Sequence, residues 1–186
     1  RIYKEPEIKS MYYKPKNLRV LSFDIESSHG SEDDELYCIG LVCGNIKNVF
    51  VNSEKYIEGA ISCKNEEEVI EKFINEVITL DPDVITGWNV IDFDLNYLSK
   101  KCRKHKIEFD FGREPGKCKI KIEESFFRES KVDVSGRQIL DGLNLLRVSF
   151  IKVEDYKLNT VAQQILGDTK LVRTTGVEKY KEIDEM

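Results

Sequence analysis

The chain has 186 residues, of which 40% are apolar and 34% charged, a balance that fits one folded domain and excludes disorder, collagen and coiled coil as descriptions of the whole. With 29 Lys and Arg against 34 Asp and Glu the net charge is −5, which disfavours a sequence-indifferent duplex binder but leaves room for an enzyme that meets nucleic acid through bound cations. Apolar runs fall far short of the roughly 20 residues that span a bilayer, no apolar leader is visible, and five cysteines without a Cys-x-x-Cys indicate neither a disulfide framework nor a zinc site, so a reducing, intracellular compartment is expected.

Residues 1–17 carry Lys4, Lys9, Lys14 and Lys16 with Pro6 and Pro15 and no sustained period, and read as a lead-in segment with at most one edge strand. A domain is expected over 18–186. It opens with Leu18 to Glu26, rich in β-branched and apolar residues and closed by the turn-forming Ser27-Ser28-His29-Gly30, as a central strand. Leu36 to Cys43 and Asn48 to Val51, separated by Gly44-Asn45, predict a hairpin. Val69, Ile70, Phe73, Ile74, Val77 and Ile78 recur with a spacing that only a helix gathers on one face, and Asn65 with Glu68 supplies its capping pair. The glutamates of that first turn suit the helix dipole and are read as structural.

Asp81-Pro82-Asp83 stops this helix, Val84 to Trp88 is a short strand, and a second helix is expected from about Asp92 to Lys106, with Asp92 as its N-cap. Lys119 to Glu123 and Lys131 to Val134 alternate between glycine-containing turns and predict a β-hairpin excursion. Ile139 to Asp141 returns to the core, Leu143 to Phe150 is expected to be helical, and Leu158 to Leu166 is a short helix closed by Gly167.

Chemistry concentrates at two places. Asp24 and Glu26 are two apart on an otherwise apolar strand, so both carboxylates share a face, and two adjacent anions there call for a raised pKa or a shared cation such as Mg²⁺ or Mn²⁺. The bland alternative is a strand that ends at Phe23 with both acids in solvent. The second place is Gly87 to Leu98, a strand-to-helix junction where Asp94 is able either to face the end of the first strand across the crevice in which such sheets bind ligands or to serve as one more acid of the helix's first turn, readings that local physics alone does not separate.

Leu21-Ser22-Phe23-Asp24-Ile25-Glu26-Ser27 resembles the first exonuclease motif of family B DNA polymerases, and Gly87 to Leu98, with its Asn-x-x-x-Phe-Asp core, resembles the second. Glu35 to Leu41, Asp81 to Ile85, Gly136 to Gly142 and Tyr156 to Ala162 are similar to further stretches of the same exonuclease domain, nearest to the DNA polymerase II branch and its archaeal relatives. The resemblance runs from about residue 18 to the end. It implies an α/β, RNase H-like (DnaQ-like exonuclease) mixed sheet flanked by helices, and a proofreading 3′→5′ exonuclease that uses four acids and a tyrosine. Carried over by position, it makes Asp24, Glu26 and Asp94 catalytic residues and ligands of two Mg²⁺ or Mn²⁺ ions. It makes Ser27, Asn89 and Phe93 contacts to the frayed strand.

The partners it implies are a single-stranded DNA 3′ end and the polymerase domains of a parent chain, with no membrane, inside the cell, and in the nucleoid-associated cytoplasm if the source is a bacterium or an archaeon. Tyr180 to Asp184 has the Tyr-x-x-x-Asp form of the family's third motif, but only Glu185 and Met186 follow it, so the match is read as coincidence and the domain as one cut short of that motif. A non-catalytic module that routes single-stranded DNA or packs on a polymerase body is the alternative, and an RNase H-like endonuclease is a third reading. Gly112 to Cys118 is one residue short of a phosphate-binding loop and reads as a turn, His29 and His105 as ordinary surface histidines, and Asp141 as structural.

Overall fold

Leu21, Phe23 and Ile25 are buried and alternate with exposed Ser22 and Asp24, and in the computed structural model this period-two segment is the strand β1, Val20–Ser27. The structure describes residues 17–28, 33–114, 116, 118–123 and 130–168, with residues 5, 7, 9, 10 and 12 of the lead-in. Tyr180, Asp184 and His29 lie outside the described residues.

The strand β1 pairs antiparallel with β2 (Leu36–Cys43), which turns through Gly44 into antiparallel β3 (Ile46–Asn52), so the expected hairpin is present. A three-residue strand not read from the sequence, β4 (Ile61–Cys63), adds in parallel to β3. On its other side β1 pairs in parallel with β5 (Val84–Gly87). The remaining strands are β6 (Lys119–Lys121), β7 (Lys131–Asp133) and β8 (Gln138–Asp141), and β8 pairs in parallel with β5. The six-stranded mixed sheet runs β4-β3-β2-β1-β5-β8, while β6 and β7 pair antiparallel as a separate two-stranded sheet, the expected excursion. Ile120 and Val132 of that excursion pack partly against the main core.

The helix α1 (Glu66–Leu80) covers β2 and β3 with Val69, Ile70, Phe73 and Val77, and the Phe73 ring meets Phe23 at 4.9 Å between centroids. Asn65 caps it by accepting the Glu68 amide at 3.0 Å, as its sequence position suggested. Two more helices, α3 (Gly142–Arg147) and α4 (Leu158–Leu166), follow the sheet, with α2 described below. The helix expected over 143–150 therefore stops at Arg147, where Val148 and Ser149 turn back onto Asn144 and Leu146. None of the described helices is long and apolar enough to cross a membrane. No disulfide joins any of the five cysteines, and burial pushes the Cys102 and Cys118 thiols up to about 12 and about 11.

Where α1 ends, Arg137 holds the sheet's far side together. Its guanidinium donates to Asp81 at 2.9 Å, to the Pro82 carbonyl at 2.6 Å and to the Phe111 carbonyl at 2.7 Å, while exposed Arg113 bridges Asp81 and Asp83. Asp81 is half exposed, so the two carbonyls dominate the energetics of losing Arg137. Arg137→Met leaves both acceptors buried and unpaired, and a loss of about 3 kcal/mol in chemical denaturation is expected. A loss below about 0.5 kcal/mol would show that water replaces the guanidinium there.

Candidate active site

Pairing of β1 with β5 reaches only Ser22 and Thr86, after which Gly87 pairs with Asp141 on β8 and the chain leaves β1. Among the described residues no strand pairs with the edge of β1 at Asp24 to Glu26 on that side, and its inward backbone donors need other acceptors. A methyl group at Gly87 would stand 2.7 Å from the Phe23 carbonyl and 3.0 Å from the Val90 side chain, so the turn can press against β1 only because residue 87 is glycine. Gly87→Ala is expected to lower stability by about 2 kcal/mol and to displace the strand next to Asp24. A thermal melt checks this, and an unchanged midpoint would mean the turn yields freely.

After Gly87 the backbone turns at Asn89, which takes a left-handed φ of 57°, a conformation that Asn tolerates better than most residues. Ile91–Leu95 then forms one turn of π-helix, closed by the Leu95 amide on the Val90 carbonyl at 2.8 Å, before α2 (Asn96–His105) continues. This corrects the sequence expectation of a helix capped by Asp92: the cap position is Val90, with no side-chain bond, and Asp92 lies within the turn. The wider turn places an additional residue per revolution, a device that recurs at functional sites. Phe93 emerges 40% exposed, whereas Asp94 is 1% exposed.

The Asp94 carboxylate accepts the Ile25 amide at 3.1 Å, and Ile25 is the residue between Asp24 and Glu26. It supplies the acceptor that β5 no longer offers, so the second locus is brought to the first by backbone bonding. Burial pushes the Asp94 carboxyl up to about 8, with the charge of Asp24 and then that of Asp141 adding to the rise, against the Ile25 hydrogen bond that lowers it. Asp24 and Glu26 alternate on the face of β1 opposite the α1-packed core, Asp24 exposed and Glu26 half-buried.

The remaining residues singled out from the sequence take distinct places. Ser27 is 9% exposed and follows an irregularity in the pairing of β1 with β2, where Tyr37 is skipped between the pairs Glu26 with Cys38 and Ser27 with Leu36. Phe93 stacks on Tyr97 at 6.5 Å. Asn89 is half-buried at the turn. Asp141 is structural, as its sequence position suggested: one oxygen accepts the Ile91 amide at 3.1 Å, and the other caps α3 by accepting the amides of Leu143 and Asn144 at 2.9 and 3.3 Å. Asp110 gathers the amides of Gly112 and Gly116 at 3.1 Å each.

His105 departs from the reading of a surface histidine, for its ring meets both Glu66 and Glu67. Tyr97 and Lys101, which sequence reasoning passed over, are buried on the same helix. A signal was available: Tyr97, Leu98, Lys101, Cys102 and His105 recur at helical spacing, which puts a lysine in an apolar stripe.

Among the described residues no three His, Cys, Asp or Glu side chains stand together as a metal cluster. The donor chemistry nevertheless suits a hard divalent cation, since every candidate ligand is a carboxylate and the charge of Asp24 adds to burial in raising the Asp94 carboxyl, which a shared cation would offset.

The family model described as DNA polymerase family B, exonuclease domain, matches residues 2–161. The chain is similar to DNA polymerase II of Escherichia coli (strain K12), with 32% identity over 181 residues, covering 92% of this chain and 22% of that protein. A DNA polymerase delta catalytic subunit of Dictyostelium discoideum shares 32% over 181 residues, covering 84% of this chain and 16% of the relative. A DNA polymerase of Thermococcus litoralis shares 30% over 162 residues, covering 83% and 9%. The chain thus spans less than a quarter of the length of these relatives, 22% in the first of them.

Proposed function

The chain belongs to the exonuclease domains of DNA polymerase family B, and from that membership we propose that it hydrolyses the last phosphodiester at the 3′ end of single-stranded DNA and releases nucleoside 5′-monophosphates. One observation carries the chemical part of the reading: a buried carboxylate, Asp94, seated on the amide between two further acids of one strand face. Asp24, Glu26 and Asp94 would hold two Mg²⁺ or Mn²⁺ ions, which when bound supply a water of lowered pKa and stabilise the leaving 3′ oxygen.

The chain's own residues do the rest. The half-exposed Phe93 ring offers a face on which any base stacks, as removal of an arbitrary mispaired nucleotide demands. Asn89, whose carbonyl accepts the Phe93 amide at 3.0 Å, and the backbone at Ser27 would hold the sugar and phosphate of the end residue. In a parent polymerase this domain would receive the frayed end of a primer from the polymerase domains, inside the cell.

The test is product analysis with a 5′-labelled single-stranded oligonucleotide in Mg²⁺ or Mn²⁺. Stepwise shortening with mononucleotide release is expected. Internal cuts would indicate an endonuclease, and retention of the intact strand without cleavage would indicate the routing module; either outcome would sink the proposal.

A further inference from the structure

Phe93 and the end of β1 are held in place by contacts that start at a buried lysine. Lys101 is 1% exposed, and its ammonium reaches both Glu66 carboxylate oxygens, at 2.8 and 3.1 Å, and the backbone carbonyl of Asp34. The same carbonyl accepts the Tyr97 hydroxyl at 3.1 Å. The Tyr97 phenol is also hydrogen-bonded with Ser27, and its ring stacks on Phe93. Glu66 accepts the Leu36 amide at 3.2 Å as well. Burial alone would raise the Glu66 carboxyl, but hydrogen bonds from Lys101 and His105 outweigh it and hold the carboxyl below its ordinary value.

The connection from β1 to β2 is therefore fastened at both ends, Ser27 through Tyr97, and Asp34 and Leu36 through Lys101 and Glu66. Stability alone does not account for this arrangement, because a buried ion pair is often replaced by apolar residues of similar volume without loss. What an ammonium adds is direction. Its third donor fixes the one carbonyl that Tyr97 shares, and Tyr97 is hydrogen-bonded with Ser27 and stacks on Phe93.

We propose that Lys101 is a positioning residue of the exonuclease site: through Asp34 and Tyr97 it sets the Phe93 ring and the backbone at Ser27 that grip the terminal nucleotide, and leaves hydrolysis to the carboxylates. The proposal rests on the functional reading above. It locates a determinant of substrate grip on the face of α2 turned toward α1.

The experiment compares Lys101→Met and Lys101→Arg in the 186-residue chain by trimming kinetics in Mn²⁺, by fluorescence anisotropy with a single-stranded oligonucleotide, and by hydrogen exchange at the amides of residues 33–36. Lys101→Met is expected to raise KM and Kd about tenfold with kcat within about threefold, because grip and not chemistry is disturbed. Lys101→Arg, whose fork reaches the same carboxylate and carbonyl, is expected to restore both to within about twofold. Where Lys101→Met does not fold, Glu66→Gln carries the same expectation at a milder level.

Unaltered KM and Kd despite faster exchange at Leu36 would overturn the proposal and leave the pair merely structural, as would a fall in kcat alone. A parent chain that neither binds nor trims the strand would sink the exonuclease reading itself, and the positioning role with it. The exchange comparison would separately report whether Lys101 holds the connection.

Discussion

Asparagine at position 94 is expected to yield a domain that no longer trims DNA yet melts at a higher temperature than its parent in metal-free buffer at pH 8. Asp94 is 1% exposed and its carboxyl is pushed up to about 8 by burial, with the charge of Asp24 second. An aspartate in the unfolded chain titrates near 3.9, so between about pH 4 and about pH 8 the folded state holds a proton that unfolding releases. The stability this group contributes is complete below about pH 4 and is lost as pH rises through about 8. The effect is of the order of a few kcal/mol after allowance for relaxation around the buried group. Asparagine keeps an oxygen to accept the Ile25 amide and has nothing to ionise. Melting curves in chelator from pH 5 to pH 9 should therefore slope downward for the parent and stay flat for Asp94→Asn. Mn²⁺ should raise the parent's midpoint and not the variant's. Parallel pH profiles would mean that Asp94 is ionised in the metal-free fold, and a variant trimming at the parent's rate would remove Asp94 from the site.

The behaviour of Asp94 also marks how far the sequence could be read. The alternation of Leu21, Phe23 and Ile25 and the apolar stripe of α1 report burial directly, because one periodicity has one geometric consequence. Asp141 was legible as structural for a similar reason: an acid between a strand and a helix start has amides waiting for it. The π-turn over Ile91–Leu95 was not legible, since apolar residues in a single turn fit α and π geometry alike. Its consequence, Phe93 outward and Asp94 inward, depends on where β5 leaves β1, and that is fixed by the close approach of Gly87 to Phe23. The strand β4 has three residues, too few to display a period. Lys101 was hidden by a sound habit, because lysines are almost never fully buried, and the partner that makes it possible lies on another helix.

Slow trimming that is indifferent to Asp184→Ala is the expected behaviour of the 186-residue chain itself. The family resemblance calls for four acids and a tyrosine, of which Asp24, Glu26 and Asp94 would supply three acids. Asp141 is an unpromising fourth, since three backbone amides already occupy its two oxygens and its removal would loosen both α3 and the π-turn. Tyr180 and Asp184 have the right pattern but lie outside the described residues, so the structure offers them no place beside Asp94. A site lacking one acid binds its cations weakly and orients water poorly, and loss of one member of such a unit commonly lowers the rate by orders of magnitude. We therefore expect turnover that is more readily detected in Mn²⁺ than in Mg²⁺. Joining the chain to a helix that bears Tyr-x-x-x-Asp should then restore fast trimming. Fast trimming by the chain alone, abolished by Asp184→Ala, would instead make Tyr180 and Asp184 the third motif. If fast trimming survived that substitution, a fourth ligand would have to come from elsewhere, and Asp141→Asn would then be the decisive variant, because Asn retains a cap acceptor while withdrawing the charge.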